Sequence, residues 1–120
     1  MAYIGANNNT VEAFTQGYPP AVSLTAQSSV QNGTVLDGLC VRANAVISIT
    51  TSAGVTGGVV ALQGSLDGVN FYTLGSPTTT STASTTTAVL VQNAYARFVR
   101  AAITTAIVSG TVTVSVGVNG

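Results

Sequence analysis

The chain has no tryptophan, no histidine and no lysine, only one cysteine, and just six charged side chains among its 120 residues. Each shortage closes a class of function. General acid–base catalysis needs a titratable pair within reach of one substrate, and the only carboxylates, Glu12, Asp37 and Asp67, lie far apart in sequence. Cys40 has no histidine to activate it as a nucleophile, and a lone cysteine can form no intrachain disulfide. Zinc sites built from Cys and His fail on count, and no D-x-D-x-D calcium loop occurs. The expectation is a protein that is not an enzyme and that uses no cofactor or metal. Within the apolar run LDGLCVR, Cys40 is expected to be a small buried hydrophobe.

The scarcity of charge also limits the partners. Arg42, Arg97 and Arg100 are the only basic residues and form no basic run. The electrostatic term that dominates nucleic-acid affinity is therefore missing. A solvated small domain carries charge on roughly 25–35% of its surface positions, whereas here charged residues make up 5% of the chain and the net charge is zero. Thr, Ser, Asn and Gln hydrate such a surface but repel nothing. This composition suits a subunit packed among copies of itself or other neighbours, a homo-oligomer.

No membrane association is expected. Residues 43–66 carry no charge but are interrupted by Thr, Ser, Gly, Asn and Gln, so they hold no apolar run of spanning length. An outer-membrane barrel needs aromatic girdles, which 6% aromatic content without Trp does not supply. The N-terminal MAYIGANNNT has neither a basic n-region nor an apolar h-region, so Sec export is not expected.

What the chain does contain is Thr, Val and Ile in abundance, whose stiff χ1 favours strands. In TVTVSVGV, Val112, Val114, Val116 and Val118 alternate with Thr111, Thr113, Ser115 and Gly117, a period of two. In VRANAVISIT, Val41, Ala43, Ala45, Ile47 and Ile49 fall on one face, with Arg42, Asn44 and Ser48 on the other. Further strands are predicted over Val59 to Ser65, Asn70 to Leu74, Thr87 to Gln92 and Tyr95 to Ile103. The pattern predicts an all-β fold, an antiparallel β-sandwich of jelly-roll type with about seven or eight strands.

Two segments differ from the rest. Residues 1–20 hold an Asn triplet, the aromatics Tyr3, Phe14 and Tyr18, and the pair Pro19-Pro20, which cannot donate to a central ladder. They read as an extended arm that covers its apolar residues against a partner, with a frayed tail as the alternative, and residues 21–120 form the sandwich domain. SPTTTSTASTTT, Ser76 to Thr87, reads as an exposed loop or a polar edge strand.

Asp67 and Gly68 stand between two strand patterns, where Asp-Gly is a strong hairpin signal. A type I′ turn is predicted there, with positive φ at both positions. Asp37-Gly38 marks a second bend. Arg97 and Arg100, three apart, cannot share a face of a regular strand. Arg100 is therefore expected to turn inward and pair with an acidic group or a carbonyl, because an unpaired buried guanidinium is very costly.

The order LQGSLDGVNFYTL, YARFVRAAI, SGTVTVSV resembles a pattern of discoidin-like and related jelly-roll modules, in which S-x-D-G-x-x-[WF] precedes A-R-[YF]-[VI]-R and a G-x-V-x-V strand. Ser65, Asp67, Gly68 and Phe71 match the first part, residues 96–100 the second, and Gly110, Val112 and Val114 the third. The resemblance implies a jelly-roll fold. The matched residues are of turn and core type, and the Trp and His that sugar-binding members offer are absent here.

The chain as a whole, nearly uncharged, rich in Thr, Val, Ala and Gly and carrying an apolar arm, is similar to small virion structural proteins of tailed bacteriophages. These include head decoration (cement) proteins and tail or fibre sandwiches. That resemblance implies a protein on the capsid surface of the virion that binds the major capsid protein, often as a trimer. A tail or fibre module that binds a cell-surface glycan is the alternative, and a surface-layer or appendage subunit a third reading.

Overall fold

The β-branched runs form what their period predicts. In the computed structural model, which describes residues 17–119, every regular element is a strand. In chain order these are β1 (Gly17–Gln27), β2 (Gln31–Asn32), β3 (Leu36–Thr51), β4 (Gly57–Ser65), β5 (Tyr72–Thr79), β6 (Thr86–Val108) and β7 (Val112–Asn119). All pairings are antiparallel and belong to one sheet, ordered β1, β7, β3, β6, β4, β5, with β2 attached to β6.

The sheet folds over on itself, and β6 belongs to both layers. Its first half pairs with β3, from Thr86 opposite Thr50 to Gln92 opposite Asn44. Its second half pairs with β4, from Phe98 opposite Ser65 to Val108 opposite Gly57. Where the layers meet, a Cβ on Gly64 of β4 would sit 2.7 Å from the Ala96 Cβ, and one on Gly75 of β5 would sit 3.3 Å from Val91. A side chain at Gly64 would thus push the layers apart. The core between them joins Ile47, Ile49 and Val114 on one side with Val60, Leu62 and Ile103 on the other.

The inward face of β6 changes along its length. Val89 and Val91 pack on the core, then Ala94 and Ala96, then Val99, Ala101 and Ile103. Odd positions give way to even and then return to odd. The switches fall beside Asn93 and Tyr95, both at positive φ, and beside the register shifts of β3 between Asp37 and Asn44. Each added residue bends a strand and turns its side chains over. β3 answers with Leu39, also at positive φ. Ala45, Ile47 and Ile49 are buried as predicted, but Val41 and Cys40 are exposed, because they lie on the far side of this bulge. In β7 no bulge intervenes on the β3 side, and Val112, Val114, Val116 and Val118 are all buried.

β1 begins at Gly17, so Tyr18, Pro19 and Pro20 belong to a strand rather than to an arm that ends at residue 20. Tyr3 and Phe14 lie outside the described residues. The two prolines occupy an edge strand, within the register shift between Tyr18 and Ala21, where no ladder bond is lost. At the opposite edge, β5 takes in Ser76, Pro77, Thr78 and Thr79, so the Thr-rich segment starts as a polar edge strand. It then turns back across Thr51, whose hydroxyl donates to the Thr82 carbonyl at 2.7 Å and accepts from the Thr85 N–H at 3.0 Å.

One buried hydroxyl ties β1 to β6. Ser23 Oγ donates to the Thr34 carbonyl at 2.8 Å and accepts from the Ala101 N–H at 2.9 Å. The Gly33 N–H donates to the Ala101 carbonyl and the Thr34 N–H to the Ser23 carbonyl. Ser23→Ala would strand a buried N–H and a carbonyl. It is expected to cost about 1–3 kcal/mol, read as a lower urea midpoint with an unchanged m-value.

Candidate interaction surface

The charged and aromatic side chains of the described domain gather at one end, around Phe98. This residue lies opposite Asp37 of β3 on one side and opposite Ser65 of β4 on the other. Both neighbours lead into the same local sequence, Leu-Asp-Gly followed by an apolar residue, at 36–39 and 66–69. Both aspartates close an Asx turn: Asp37 Oδ1 accepts from the Leu39 N–H and Asp67 Oδ1 from the Val69 N–H, each at 2.8 Å. Short side chains that bond their own backbone two residues on are the usual means of reversing a chain.

The Asp67 turn is not the type I′ hairpin predicted. Gly68 has φ +80, but Asp67 is not at positive φ, and a six-residue loop, 66–71, separates β4 from β5. Asp67 holds that loop with four hydrogen bonds. Oδ1 accepts from Ser65 Oγ at 2.8 Å, Val69 N–H at 2.8 Å and Asn70 N–H at 2.9 Å, and Oδ2 accepts from Asn70 Nδ2 at 2.8 Å. The backbone donors of Asn70 and Val69, then the Asn70 and Ser65 side chains, hold the Asp67 carboxyl far below the usual carboxylate range. Ser65, fully buried, also receives the Gly68 N–H at 2.9 Å.

The arginines lie across this end. Arg97 grips Asp37 with Nε on Oδ1 at 2.9 Å and Nη2 on Oδ2 at 3.1 Å. That fork, with the Leu39 N–H second, lowers the Asp37 pKa, and Asp37 in turn raises that of Arg97. Arg100 meets a carbonyl, that of the Gln63 side chain, and no acid among the described residues. Its Nε donates to Gln63 Oε1 at 2.8 Å, and its guanidinium lies 3.8 Å from the centre of the Phe71 ring. It remains half-exposed, so stacking and one amide partner suffice. Arg97 lies over Phe98 at 4.9 Å, and Arg42 Nε donates to the Gly38 carbonyl at 2.8 Å.

Asp67, Gly68, Arg97 and Arg100, singled out in the sequence, therefore meet at one end. Both carboxylates are engaged, Asp37 forked by Arg97 and Asp67 accepting four hydrogen bonds. The sequence reading missed the apolar residues that these turns push outward. Leu39, Val41, Leu66, Val69, Tyr72 and Tyr95 are all exposed, with the Tyr72 hydroxyl donating to the Tyr95 carbonyl at 3.0 Å. The repeated Leu-Asp-Gly-apolar string was the available signal, because a tight turn leaves the residue after it no core to enter. Arginine and tyrosine are among the residue types enriched at protein interfaces.

No family description matches this sequence, and no curated protein matches it. A fold likeness does exist. The crystal structure of SPBc2 prophage-derived protein YomS superposes with a TM-score of 0.60 at 14% identity, covering 85% of this chain and 92% of that one. The shared all-β fold is thus one that a prophage-derived protein also adopts.

The two aspartates set the behaviour in acid. Unfolded, each would protonate near 3.8; folded, each does so at lower pH. Between those values the unfolded chain binds more protons, so the stability they contribute is present above about pH 3.8 and is lost as pH falls below it. In urea titrations, Asp67→Ala is expected to flatten the acid limb of the stability–pH curve, while Asp37→Ala flattens it less. Gly68→Val, placing a β-branched residue at positive φ, is expected to cost about 1–2 kcal/mol, read by thermal melting.

Proposed function

We propose that this chain is a non-enzymatic virion structural protein of a tailed bacteriophage, a capsid decoration protein that binds the shell of the major capsid protein as a homotrimer. The observation that carries this reading is the end built around Phe98. It collects exposed apolar, tyrosine and arginine side chains on a rigid scaffold, while both of its carboxylates are consumed in holding the loops. Such a surface is made for contact rather than for chemistry. The fold shared with a prophage-derived protein supports the phage setting, and the near absence of charge over the rest of the domain supports close packing of copies.

Decoration adds buried area at junctions of a shell under internal pressure, and each subunit contributes through many weak apolar contacts. An uncharged Ser/Thr surface is compatible with such crowding because nothing in it resists approach. The chain has no lysine, so it cannot contribute the side-chain amine of a lysine–asparagine crosslink.

The test is co-sedimentation of the purified chain with assembled shells of the major capsid protein encoded alongside it. Saturable binding that raises the temperature at which the shells burst is expected, and Leu66→Asp with Val69→Asp should abolish it without lowering the melting temperature. Shells that never retain the protein would reject the decoration role, and antibody labelling of intact virions would then show whether the tail carries it instead.

A further inference from the structure

Every proline of the chain lies on an edge of the sheet. There are three, Pro19, Pro20 and Pro77, and the strands that end the sheet order are β1 and β5. Pro19 and Pro20 fall in β1 and Pro77 in β5. Each also falls in a register shift. Between Tyr18 and Ala21 of β1, the two prolines stand against Gly117 of β7 alone. Between Leu74 and Thr78 of β5, Gly75, Ser76 and Pro77 stand against Ala61 of β4 alone, with Gly75 at φ +68.

An open edge presents unpaired N–H and C=O groups to any other chain, and proteins blunt it with charged side chains, proline or bulges. Neither β1 nor β5 contains a charged residue, so proline and bulge are the means in use here. The need is greater at β5. On β1 the Ser23 carbonyl already accepts the Thr34 N–H at 2.8 Å, so the loop after β2 covers part of that edge. β5 pairs with β4 and with no other described strand, and Ser76, Pro77 and Thr79 are exposed. Beyond Pro77 the sequence runs on as threonine from Thr78 to Thr80, a residue suited to strands. With zero net charge, no long-range repulsion keeps two such edges apart.

We infer that Pro77 and its bulge are a guard, which keeps β5 of one copy from pairing with β5 of a second copy. Identical edges meet across a two-fold axis, so the pairing they would otherwise make is antiparallel and closed. Pro77 opposes it in two ways. It has no N–H to donate, and the bulge around it bends the edge away from a straight partner. This stands apart from the decoration role, since it concerns a contact that copies are built not to make, on a shell or off it.

The experiment compares native mass and melting temperature for the wild-type chain, Pro77→Thr and Pro77→Lys, from micromolar to millimolar protein. Pro77 is exposed, so both variants are expected to melt with the wild type. Pro77→Thr restores the donor and should raise the native mass about twofold over the wild type at the same concentration. Adding Thr79→Lys to it places a charge on the same edge and should return the wild-type mass. Pro77→Lys replaces one guard with another and should keep the wild-type mass throughout. A Pro77→Thr protein with the wild-type mass at every concentration overturns the inference. So does association that Thr79→Lys leaves in place or that Pro77→Lys shares, because either traces the contact to something other than an open edge.

Discussion

Much of this structure depends on a single strand serving two layers. β6 gives its first half to β3 and its second to β4, so its side chains must face the core in both places although the core lies in a different direction each time. Both halves turn odd positions inward, and only the corner between them, at Ala94 and Ala96, turns even positions inward, where Asn93 and Tyr95 take positive φ. They also oblige β3, which runs beside them, to bulge between Asp37 and Asn44. Sandwiching the core and forming an irregular end are thus one event.

That irregular end is where the rare residues of the chain are used. Asp37 and Asp67 each supply the hydrogen bonds that the broken ladder gives up, and Arg97 and Arg100 lie over Phe98 and Phe71. In a polypeptide with so few charges, placing most of them at one corner leaves the remaining surface neutral.

The motifs S-x-D-G-x-x-F and A-R-F-V-R, sixty residues' worth of apparent jelly-roll pattern with the strand that follows, turn out to be one packed unit. Gly68 lies against the Phe98 ring, Ser65 is paired with Phe98 in the sheet, and Phe71 stacks on Arg100. A pattern of turn and core residues reports how two hairpins are locked together. It carries no information about what binds, which is why the likeness to YomS and the likeness to discoidin-type modules speak to the fold first.

By itself the sequence determined the all-β class, the register of β7 and the inward set of Ala45, Ile47 and Ile49, since strict alternation in a sheet with one buried face admits only one phase. It also located both Asp-Gly bends, because the turn chemistry there is local. Only the tertiary structure decided that Cys40 and Val41 face outward, that Arg100 stacks on Phe71 and meets the Gln63 side-chain carbonyl, and that β5 closes an edge with the Thr-rich segment. The first of those outcomes follows from the bulge that shifts the phase of β3 relative to β6. A bulge is a relation between two strands distant in the chain, so no single stretch of residues could announce it.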